Sequence, residues 1–305
     1  MSHAIRYFKA LSDETRLRLM HVLTHYELSV NELVTLLEAG QSRISRHLKI
    51  LAETGLLTSR RDGLWVFYSA VDDGEGQAFL KAVTPFLTAD MNMRADLDMA
   101  AKILEERAHK TQQFFNSVAD HWDTLNRKIL GDFDLAKAVA AAMPSGCAAA
   151  VDLGCGTGLV LESMSGRAAS LIGVDGSPRM LELARRRFGD DASVSLRIGD
   201  LDHLPLRDGE ADFACMNLVL HHLSEPSRAL AEIRRVLKPG GTLFLSDFDR
   251  HTQEHMRFDY GDRWLGFERD KIARLLSSAG FCEISFQTEP LEHDLSLFMA
   301  LARCF

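Results

Sequence analysis

Apolar residues in the first quarter of the chain recur every three or four positions, which is the spacing of one face of an α-helix. Three short segments show this pattern, at residues 17–23, 33–37 and 44–51. Their connections are short, and Ser29 and Gly40 stand where helix ends are expected. The pattern therefore predicts three helices joined by tight turns, a helix-turn-helix arrangement.

A β-hairpin is predicted directly after these helices. Residues 57–60 and 64–69 have strand-like composition, and Arg61-Asp62-Gly63 between them supplies an Asp-Gly turn. A helix-turn-helix followed by a hairpin is a winged helix. We expect residues 1–73 to form such a domain.

The third predicted helix has a polar face that suits a DNA major groove. Its apolar face consists of Ile44, Leu48 and Leu51, which leaves the opposite face to solvent or to DNA. On an isolated helix a solvated face is the commoner meaning of such charge, and the neighbouring wing favours DNA here. The predicted DNA contacts are Gln41, Ser42, Arg43, Ser45, Arg46 and Lys49 on the helix, with Arg60 and Arg61 on the wing.

Residues 8–19, 41–51 and 55–57 together resemble the ArsR-type repressors over nearly the whole domain. The resemblance implies a homodimer that binds a pseudo-palindromic double-stranded operator. Metalloid sensors of that family carry two cysteines in a stretch that here, at residues 27–33, has none. Because soft metals need thiolate ligands, the sequence argues against arsenite or soft-metal sensing at this site.

A different pattern follows the winged helix. Residues 74–112 predict a helical linker, interrupted near Pro85, that could serve in dimerisation. From Cys147 onward short apolar runs alternate with helical patterns, which is typical of a parallel α/β sheet. We predict seven strands, near residues 148–153, 170–174, 194–198, 213–218, 242–247, 282–288 and 297–302.

A glycine-rich turn follows the first of these strands, in the sequence Asp152-Leu153-Gly154-Cys155-Gly156-Thr157-Gly158. Dinucleotide-binding folds use a similar turn, so the turn alone is a weak signal. Asp175 strengthens it, because a carboxylate at the end of the second strand can accept both hydroxyls of a ribose. The GxGxG spacing and the acid before the turn, which could pair with a ligand ammonium, favour a different ligand from a dinucleotide.

Further segments, at residues 174–181, 199–201, 205–206, 212–213 and 237–241, resemble the class I methyltransferases in order and spacing. The resemblance implies a doubly wound, seven-stranded, mostly parallel Rossmann-like sheet over residues 113–305, and S-adenosylmethionine (SAM) or S-adenosylhomocysteine (SAH) as the bound cofactor. Residues 114–123 resemble the lid helix of small-molecule methyltransferases. The implied cofactor contacts are Asp152, Gly154, Cys155, Gly156, Gly158, Asp175, Gly176, Ser177, Met180, Asp200, Leu201 and Asn217.

Catalytic residues are harder to predict, since methyl transfer needs little beyond positioning and removal of a proton. His221 and His222 follow the fourth strand and are candidate bases, although packing or capping is the commoner role of histidines there. His251 and His255 could be metal ligands, but a polar loop is the simpler interpretation, and we expect no metal. No acceptor-binding motif emerges.

Charge and cysteine content refine this picture. The chain carries a net charge of −8, yet residues 1–72 hold nine basic and eight acidic side chains, so the acidic excess falls on the remainder. Attraction for DNA must therefore come from local N-terminal clusters. Five scattered cysteines without a CxxC pair, and the absence of a long apolar run, lead us to expect a cytoplasmic protein.

Two hypotheses of function follow. One is a ligand-gated repressor whose methyltransferase-fold domain binds SAM or SAH as an effector, as in the SAH-responsive regulators of methionine-cycle genes that the chain resembles. The other is an active small-molecule methyltransferase tethered to a DNA-binding domain. The first is our prediction, and neither the operator nor an acceptor follows from the sequence.

Overall fold

The computed structural model describes residues 3–62, 65–88 and 90–305, and the chain divides into two compact units, Met1–Arg107 and Ala108–Phe305. The first unit is mainly helical. Its elements are α1 (His3–Leu11), α2 (Glu14–Leu23), β1 (Leu28–Ser29), α3 (Val30–Leu37), α4 (Gln41–Glu53), β2 (Leu57–Asp62), β3 (Trp65–Ala70), α5 (Gly74–Leu87) and α6 (Met91–Val118), whose last residues belong to the second unit.

The three predicted helices are α2, α3 and α4, and both of the first two begin at capping side chains. Asp13 accepts a hydrogen bond from the Arg16 amide at 3.0 Å, which satisfies a free N–H in the first turn of α2. Ser29 and Glu32 form a reciprocal capping box at the start of α3. The helices pack around a buried cluster that includes Leu19 and Ile44, so the helix-turn-helix prediction is confirmed.

The wing is an antiparallel hairpin of β2 and β3, with β1 added to the outer edge of β3. Gly63 of the predicted turn and Leu64, the first residue of the second predicted strand, lie outside the described residues. α1, which the sequence pattern had not indicated, buries Tyr7, Ala10 and Leu11 in the same core.

The predicted linker consists of two helices. Pro85 lies in the last turn of α5, and that helix ends two residues later at Leu87. α6 then continues for 28 residues, through the end of the predicted linker and the first half of the predicted lid. The sequence explains this continuity, because residues 91–118 contain neither proline nor glycine.

The second unit alternates helices and strands. A 3₁₀ turn (Ala119–His121) is followed by α7 (Trp122–Leu130), α8 (Leu135–Ala142), β4 (Cys147–Leu153), α9 (Leu159–Ser163), β5 (Ala168–Asp175), α10 (Pro178–Phe188), β6 (Val194–Ile198), β7 (Ala211–Asn217), a 3₁₀ turn (Leu220–His222), α11 (Pro226–Val236), β8 (Leu237–Phe248), α12 (Met256–Asp259), α13 (Arg269–Ser278), β9 (Phe281–Pro290) and β10 (Ser296–Cys304). All seven predicted strands overlap β4–β10.

These strands form one sheet in the order β6-β5-β4-β7-β8-β10-β9. Every neighbouring pair from β6 to β8 is parallel, and only β10 runs antiparallel to both of its neighbours. This is the predicted mostly parallel, doubly wound fold. The order reverses between β4 and β7, so a crevice for a ligand is expected at the carboxyl ends of these strands.

Both faces of the sheet are buried. Along β7, Ala214 and Met216 lie in one apolar cluster, while Phe213 and Cys215 lie in the other. This alternation follows from the two-residue period of a strand, and it requires helices on each side of the sheet. In the described part of the chain, no helix has the length and apolar character that a membrane span requires.

Candidate ligand site and nucleic-acid interface

The turn after β4 can be built only from glycine at its key positions. Gly154, Gly156 and Gly158 all have positive φ angles, of 74°, 52° and 83°. A Cβ at Gly154 would lie 2.4 Å from a methyl carbon of Val219, and one at Gly158 would lie 2.8 Å from the Phe188 ring. Both the backbone conformation and the neighbouring side chains therefore require glycine at Gly154 and Gly158.

Asp175 lies at the end of β5, beside the glycine turn. Its Oδ2 accepts a hydrogen bond from the Gly156 amide at 2.8 Å, and its Oδ1 accepts one from the Ser177 amide at 2.7 Å. Burial nevertheless raises the pKa of this carboxyl above its ordinary value. The two amide bonds fix its orientation, and each oxygen keeps acceptor capacity for a ribose hydroxyl.

Two side chains at the ends of β4 and β7 each have one buried polar atom without a hydrogen-bond partner in the described chain. Asp152 receives a hydrogen bond from Cys215 Sγ on Oδ1 at 3.3 Å, whereas its Oδ2 has none. Asn217 accepts from Ser246 Oγ at 2.8 Å, whereas its Nδ2 has no partner. Burial, and then the neighbouring Asp175, raise the pKa of Asp152 to about 7. A free acceptor on Asp152 and a free donor on Asn217 are the groups that the ammonium and the carboxylate of a methionine moiety would need.

The loop after Asp175 is attached to the second half of α6. The Gly176 carbonyl accepts a hydrogen bond from Gln112 Nε2 at 2.6 Å. Ser177 caps α10 by accepting from the Met180 amide at 3.1 Å, and its hydroxyl donates to Asn116 Oδ1 at 2.7 Å. Sequence analysis had not singled out Gln112 or Asn116 as functional, because amide side chains on an exposed helix carry no chemical signal.

Cys155, Met180, Leu201 and Asp200 complete the predicted cofactor set. Cys155 and Met180 are buried beside the glycine turn, and burial raises the pKa of the Cys155 thiol well above its ordinary value. Leu201 packs against the sheet core. Asp200 is exposed, and its Oδ1 accepts a hydrogen bond from the Asp202 amide at 3.1 Å.

Asp202 is a residue that the sequence analysis had not named. Burial, and then the charges of Asp200 and Glu225, raise the pKa of its carboxyl to about 6. The sequence feature that could have identified Asp202 is its position as the second acid of Asp200-Leu201-Asp202. A carboxyl that is partly protonated near neutral pH can both donate and accept hydrogen bonds.

Aromatic side chains of the predicted lid lie against the glycine turn. The Phe115 ring contacts Trp122 and His222 edge to face, with centroid distances of 5.2 and 4.8 Å. The indole nitrogen of Trp122 lies 3.6 Å from the point that a Cβ on Gly156 would occupy. Asp123 accepts a hydrogen bond from the Thr157 hydroxyl at 2.5 Å. The end of α6 and the start of α7 thus cover the turn.

The two candidate bases have opposite protonation tendencies. Burial disfavours a charge on His221, but the carboxylates of Asp247 and Asp262 outweigh it and raise the pKa of His221 to about 10. Burial and the charge of His221 lower the pKa of His222 to about 3. His221 Nδ1 lies 2.7 Å from Asp247 Oδ1, and His222 Nδ1 lies 3.1 Å from the Gly261 carbonyl. No sequence motif pointed to Asp262, because it lies on a loop forty residues after His222.

The predicted DNA-facing side chains of α4 are all exposed. The buried positions of this helix are Ile44, Leu48 and Leu51, as expected. Arg43 donates to the Thr15 hydroxyl at 3.1 Å. The exposed set comprises Gln41, Ser42, Arg43, Ser45, Arg46 and Lys49.

The two wing arginines differ from one another. Arg61 is exposed. Arg60 is half-buried, pairs with the Glu27 carboxylate at 3.0 Å and lies over the Phe67 ring at 4.6 Å. Arg60 therefore stabilises the wing through contacts within the unit, and Arg61 is the more accessible of the two.

Comparisons with known proteins match each unit separately. A family model described as a bacterial regulatory protein of the arsR family matches residues 13–59, and one described as a methyltransferase domain matches residues 151–245. A demethylmenaquinone methyltransferase of Thermobifida fusca is 33% identical over 54% of this chain and 70% of its own. An uncharacterized 37.1 kDa protein in transposon TN4556 of Streptomyces fradiae is 35% identical over 57% of this chain, which spans 54% of that protein.

Solved structures show the same fold in the second unit. A SAM-dependent methyltransferase from Thermotoga maritima has a TM-score of 0.51 and 26% identity, over 64% of this chain and 98% of its own. The [4+2]-cyclase SpnF has a TM-score of 0.53 and 22% identity, over 63% of this chain and 94% of its own. A methyltransferase domain implies a site for SAM or SAH. The chain belongs to the class I SAM-dependent methyltransferase family through its second unit, and its first unit is a DNA-binding domain of the arsR family.

Proposed function

We propose that this protein is a transcriptional repressor of the arsR type whose methyltransferase-fold domain binds SAM or SAH as its effector. One observation supports this function more than any other. A single helix, α6, makes side-chain hydrogen bonds to the helix-turn-helix at one end and to the candidate ligand site at the other.

The first part of α6 is fixed to the helix-turn-helix by two ion pairs. Asp96 is buried and accepts two hydrogen bonds from Arg18 of α2, at 2.6 and 2.7 Å. Arg107 pairs with Glu32, the residue that completes the capping box of α3. A buried bidentate pair is sensitive to small displacements, because moving either partner leaves a charge without its hydrogen bonds.

The last part of α6 is fixed to the ligand loop through Gln112 and Asn116, which contact Gly176 and Ser177. Gly176 and Ser177 immediately follow Asp175, the predicted ribose acid. A ligand that reorders this loop would therefore act on α6 directly. Because an effector shifts DNA affinity only through its differential affinity for the two states, the expected coupling is about 1–3 kcal/mol.

The DNA would be read by α4 in the major groove, with Arg43, Arg46 and Lys49 as its basic contacts. A homodimer on a pseudo-palindromic operator is part of this proposal. Apolar side chains on α1, α5 and the start of α6 are exposed and would suit a partner surface. They are Ile5, Phe8, Phe86 and Met91.

SAH is the proposed releasing ligand, by resemblance to the SAH-responsive regulators. SAM and SAH differ by a methyl group and the positive charge on sulfur. A pocket that closes tightly over the sulfur would favour SAH, because SAH is smaller and its sulfur is neutral.

The second candidate is an active small-molecule methyltransferase, supported by the demethylmenaquinone methyltransferase relatives. The two histidines weigh against it for acceptors that must lose a proton. His221 keeps its proton at neutral pH, and His222 binds one too weakly to be an efficient base. A carbon or sulfur acceptor that is already nucleophilic would not need them.

Turnover separates the two candidates. The full chain is incubated with SAM and a panel of quinols, phenols, amines and thiols, and SAH release is followed. The regulator hypothesis predicts turnover far below about 1 s⁻¹, the lower end of ordinary enzymes. Turnover in the ordinary range on any acceptor, unaffected by DNA, would replace the regulator with the tethered enzyme.

A further inference from the structure

A buried cluster of His221, His222 and Asp262 lies beyond the carboxyl end of β7. One ligating atom from each of these side chains lies within 4.8 Å of those from the other two. The three residues are 2%, 6% and 4% exposed, so the cluster lies inside the protein. The proposed effector function uses none of these three side chains.

The carboxylate of Asp262 is the first observation that favours a cation site in this cluster. Both of its carboxylate oxygens are buried, and neither has a hydrogen-bond partner within the described residues. His221 Nε2 lies 3.4 Å from Oδ1. A charge-assisted hydrogen bond is shorter, at about 2.7–2.9 Å. A protonated His221 at this distance would offset the charge of Asp262 but leave both of its buried oxygens without a hydrogen bond, which is a costly arrangement.

The 3.4 Å separation fits two ligands of one metal ion better than a hydrogen bond. Zinc binds histidine nitrogen at about 2.0–2.1 Å and carboxylate oxygen at about 2.0–2.2 Å, and a tetrahedral angle then separates the two ligand atoms by roughly 3.4 Å. His221 and Asp262 are thus already placed as adjacent ligands.

Asp247 orients His221 in the way that a supporting carboxylate orients a metal-binding histidine. Its Oδ1 lies 2.7 Å from His221 Nδ1 and accepts the Phe248 amide at 2.7 Å, while its Oδ2 accepts the His221 amide at 3.1 Å. With Nδ1 engaged, the remaining ring nitrogen, Nε2, faces Asp262. A carboxylate behind the histidine in this way fixes the ring and raises its basicity toward a metal.

Charge balance leads to the same conclusion. Asp247 and Asp262 bring two negative charges into the buried cluster, and a protonated His221 compensates for one. A divalent ion bound to the neutral form of His221 would compensate for both.

We propose that His221, His222 and Asp262 bind one divalent transition-metal ion of the zinc class, with Asp247 as the carboxylate that orients His221. Two histidines and one carboxylate leave at least one coordination position for water or another ligand. The proposal replaces the expectation of no metal, and it stands whether or not the chain is a SAH-responsive regulator.

The test uses the full chain without a histidine tag, stripped with EDTA. Zinc chloride is titrated calorimetrically, bound zinc is counted by mass spectrometry, and cobalt chloride reports coordination through visible absorption. We expect one ion per chain. Asp247→Asn should weaken zinc binding by about 10- to 100-fold, and Asp262→Asn by more, because it removes a ligand rather than its support. Asp259→Asn, an exposed acid on the same segment, is the matched control and should bind as the wild type does.

Circular dichroism of each variant shows whether it is folded. If Asp262→Asn does not fold, His222→Gln takes its place in the same titration. Failure of the wild type to take up one ion would overturn the proposal. Unchanged zinc affinity in a folded ligand variant would also overturn it, because the bound zinc would then lie on surface histidines.

Discussion

The two units present their functional side chains in opposite ways. On α4 the predicted DNA contacts stand in solvent, and few of them bond to other parts of the protein. In the second unit Asp152 is buried, and Asp175 is half-buried and held by backbone amides. An exposed cationic face acts through long-range, salt-screened attraction, whereas a buried carboxylate acts only on a ligand that fits. The variants below should therefore fail in different ways.

Asp175 should produce the largest loss. Asp175→Ala removes the predicted ribose acceptor and the group that holds the Gly156 and Ser177 amides. We expect calorimetry to show SAH affinity lower by about 2 kcal/mol or more, the scale of charge-assisted hydrogen bonds. Asp190→Ala, an exposed acid at the end of α10, is the control. Equal affinity in wild type and Asp175→Ala would refute the ligand site.

Arg46 should produce the largest loss on the DNA side. Arg46→Ala removes an exposed cation from the groove-facing side of α4 and should lower operator affinity by about 1–3 kcal/mol, as for loss of a base or phosphate contact. Operator affinity is measured by fluorescence anisotropy, with a DNA duplex that the wild-type protein has selected from a random pool. Arg274→Ala, exposed on α13, is the matched control and should bind DNA normally. A loss of the same size in both variants would mean that only net charge matters.

The two wing arginines sharpen the comparison further. Arg61→Ala should leave the fold intact and reduce the slope of log affinity against log salt by about one. Arg60→Ala should instead lower the melting temperature, since Glu27 and Phe67 lose their partner. Thermal unfolding and a salt titration of both variants separate the roles. If Arg60→Ala had a normal melting temperature and a reduced salt slope, Arg60 would be a DNA contact and would not be a stabilising residue of the wing.

Asp152 should make the stability of the second unit depend on pH. Its folded pKa, about 7, lies above the ordinary 3.8, so the folded state holds this proton more tightly than the unfolded state. Asp152 therefore reduces stability progressively as pH rises from about 4 to 7, with no further loss above that range. Asp152→Asn lacks this loss, so its melting temperature relative to wild type should be higher at pH 8 than at pH 5. The same difference at both pH values would contradict the raised pKa.

Sequence periodicity predicted most of the fold, because both units are built from regular, strongly patterned elements. The apolar spacing of 44–51 identified the buried face of α4, and short apolar runs located all seven strands of the sheet. α1 escaped notice because only Tyr7, Ala10 and Leu11 are buried along it. The sequence analysis also did not predict that α6 is continuous, because it assigned residues 74–112 to a linker and residues 114–123 to a separate lid helix.

The candidate site was less predictable wherever residues meet through the fold alone. The glycines and Asp175 lie in a recognisable stretch, where backbone geometry restricts the residue type. Gln112 and Asn116 reach the site from a helix whose sequence shows no chemistry. Asp262 meets His221 only because the loop after β8 returns over the end of β7, and no spacing rule covers forty intervening residues.

The central claim is that ligand in the second unit changes DNA binding by the first. It is tested most directly by titrating the full chain against its selected duplex by fluorescence anisotropy, with no ligand, with saturating SAM and with saturating SAH. We predict that SAH weakens DNA binding by roughly 5- to 150-fold, and that Asp175→Ala binds DNA with the same affinity whether or not SAH is present at the same concentration. Equal DNA affinity of the wild type in all three titrations would contradict the account.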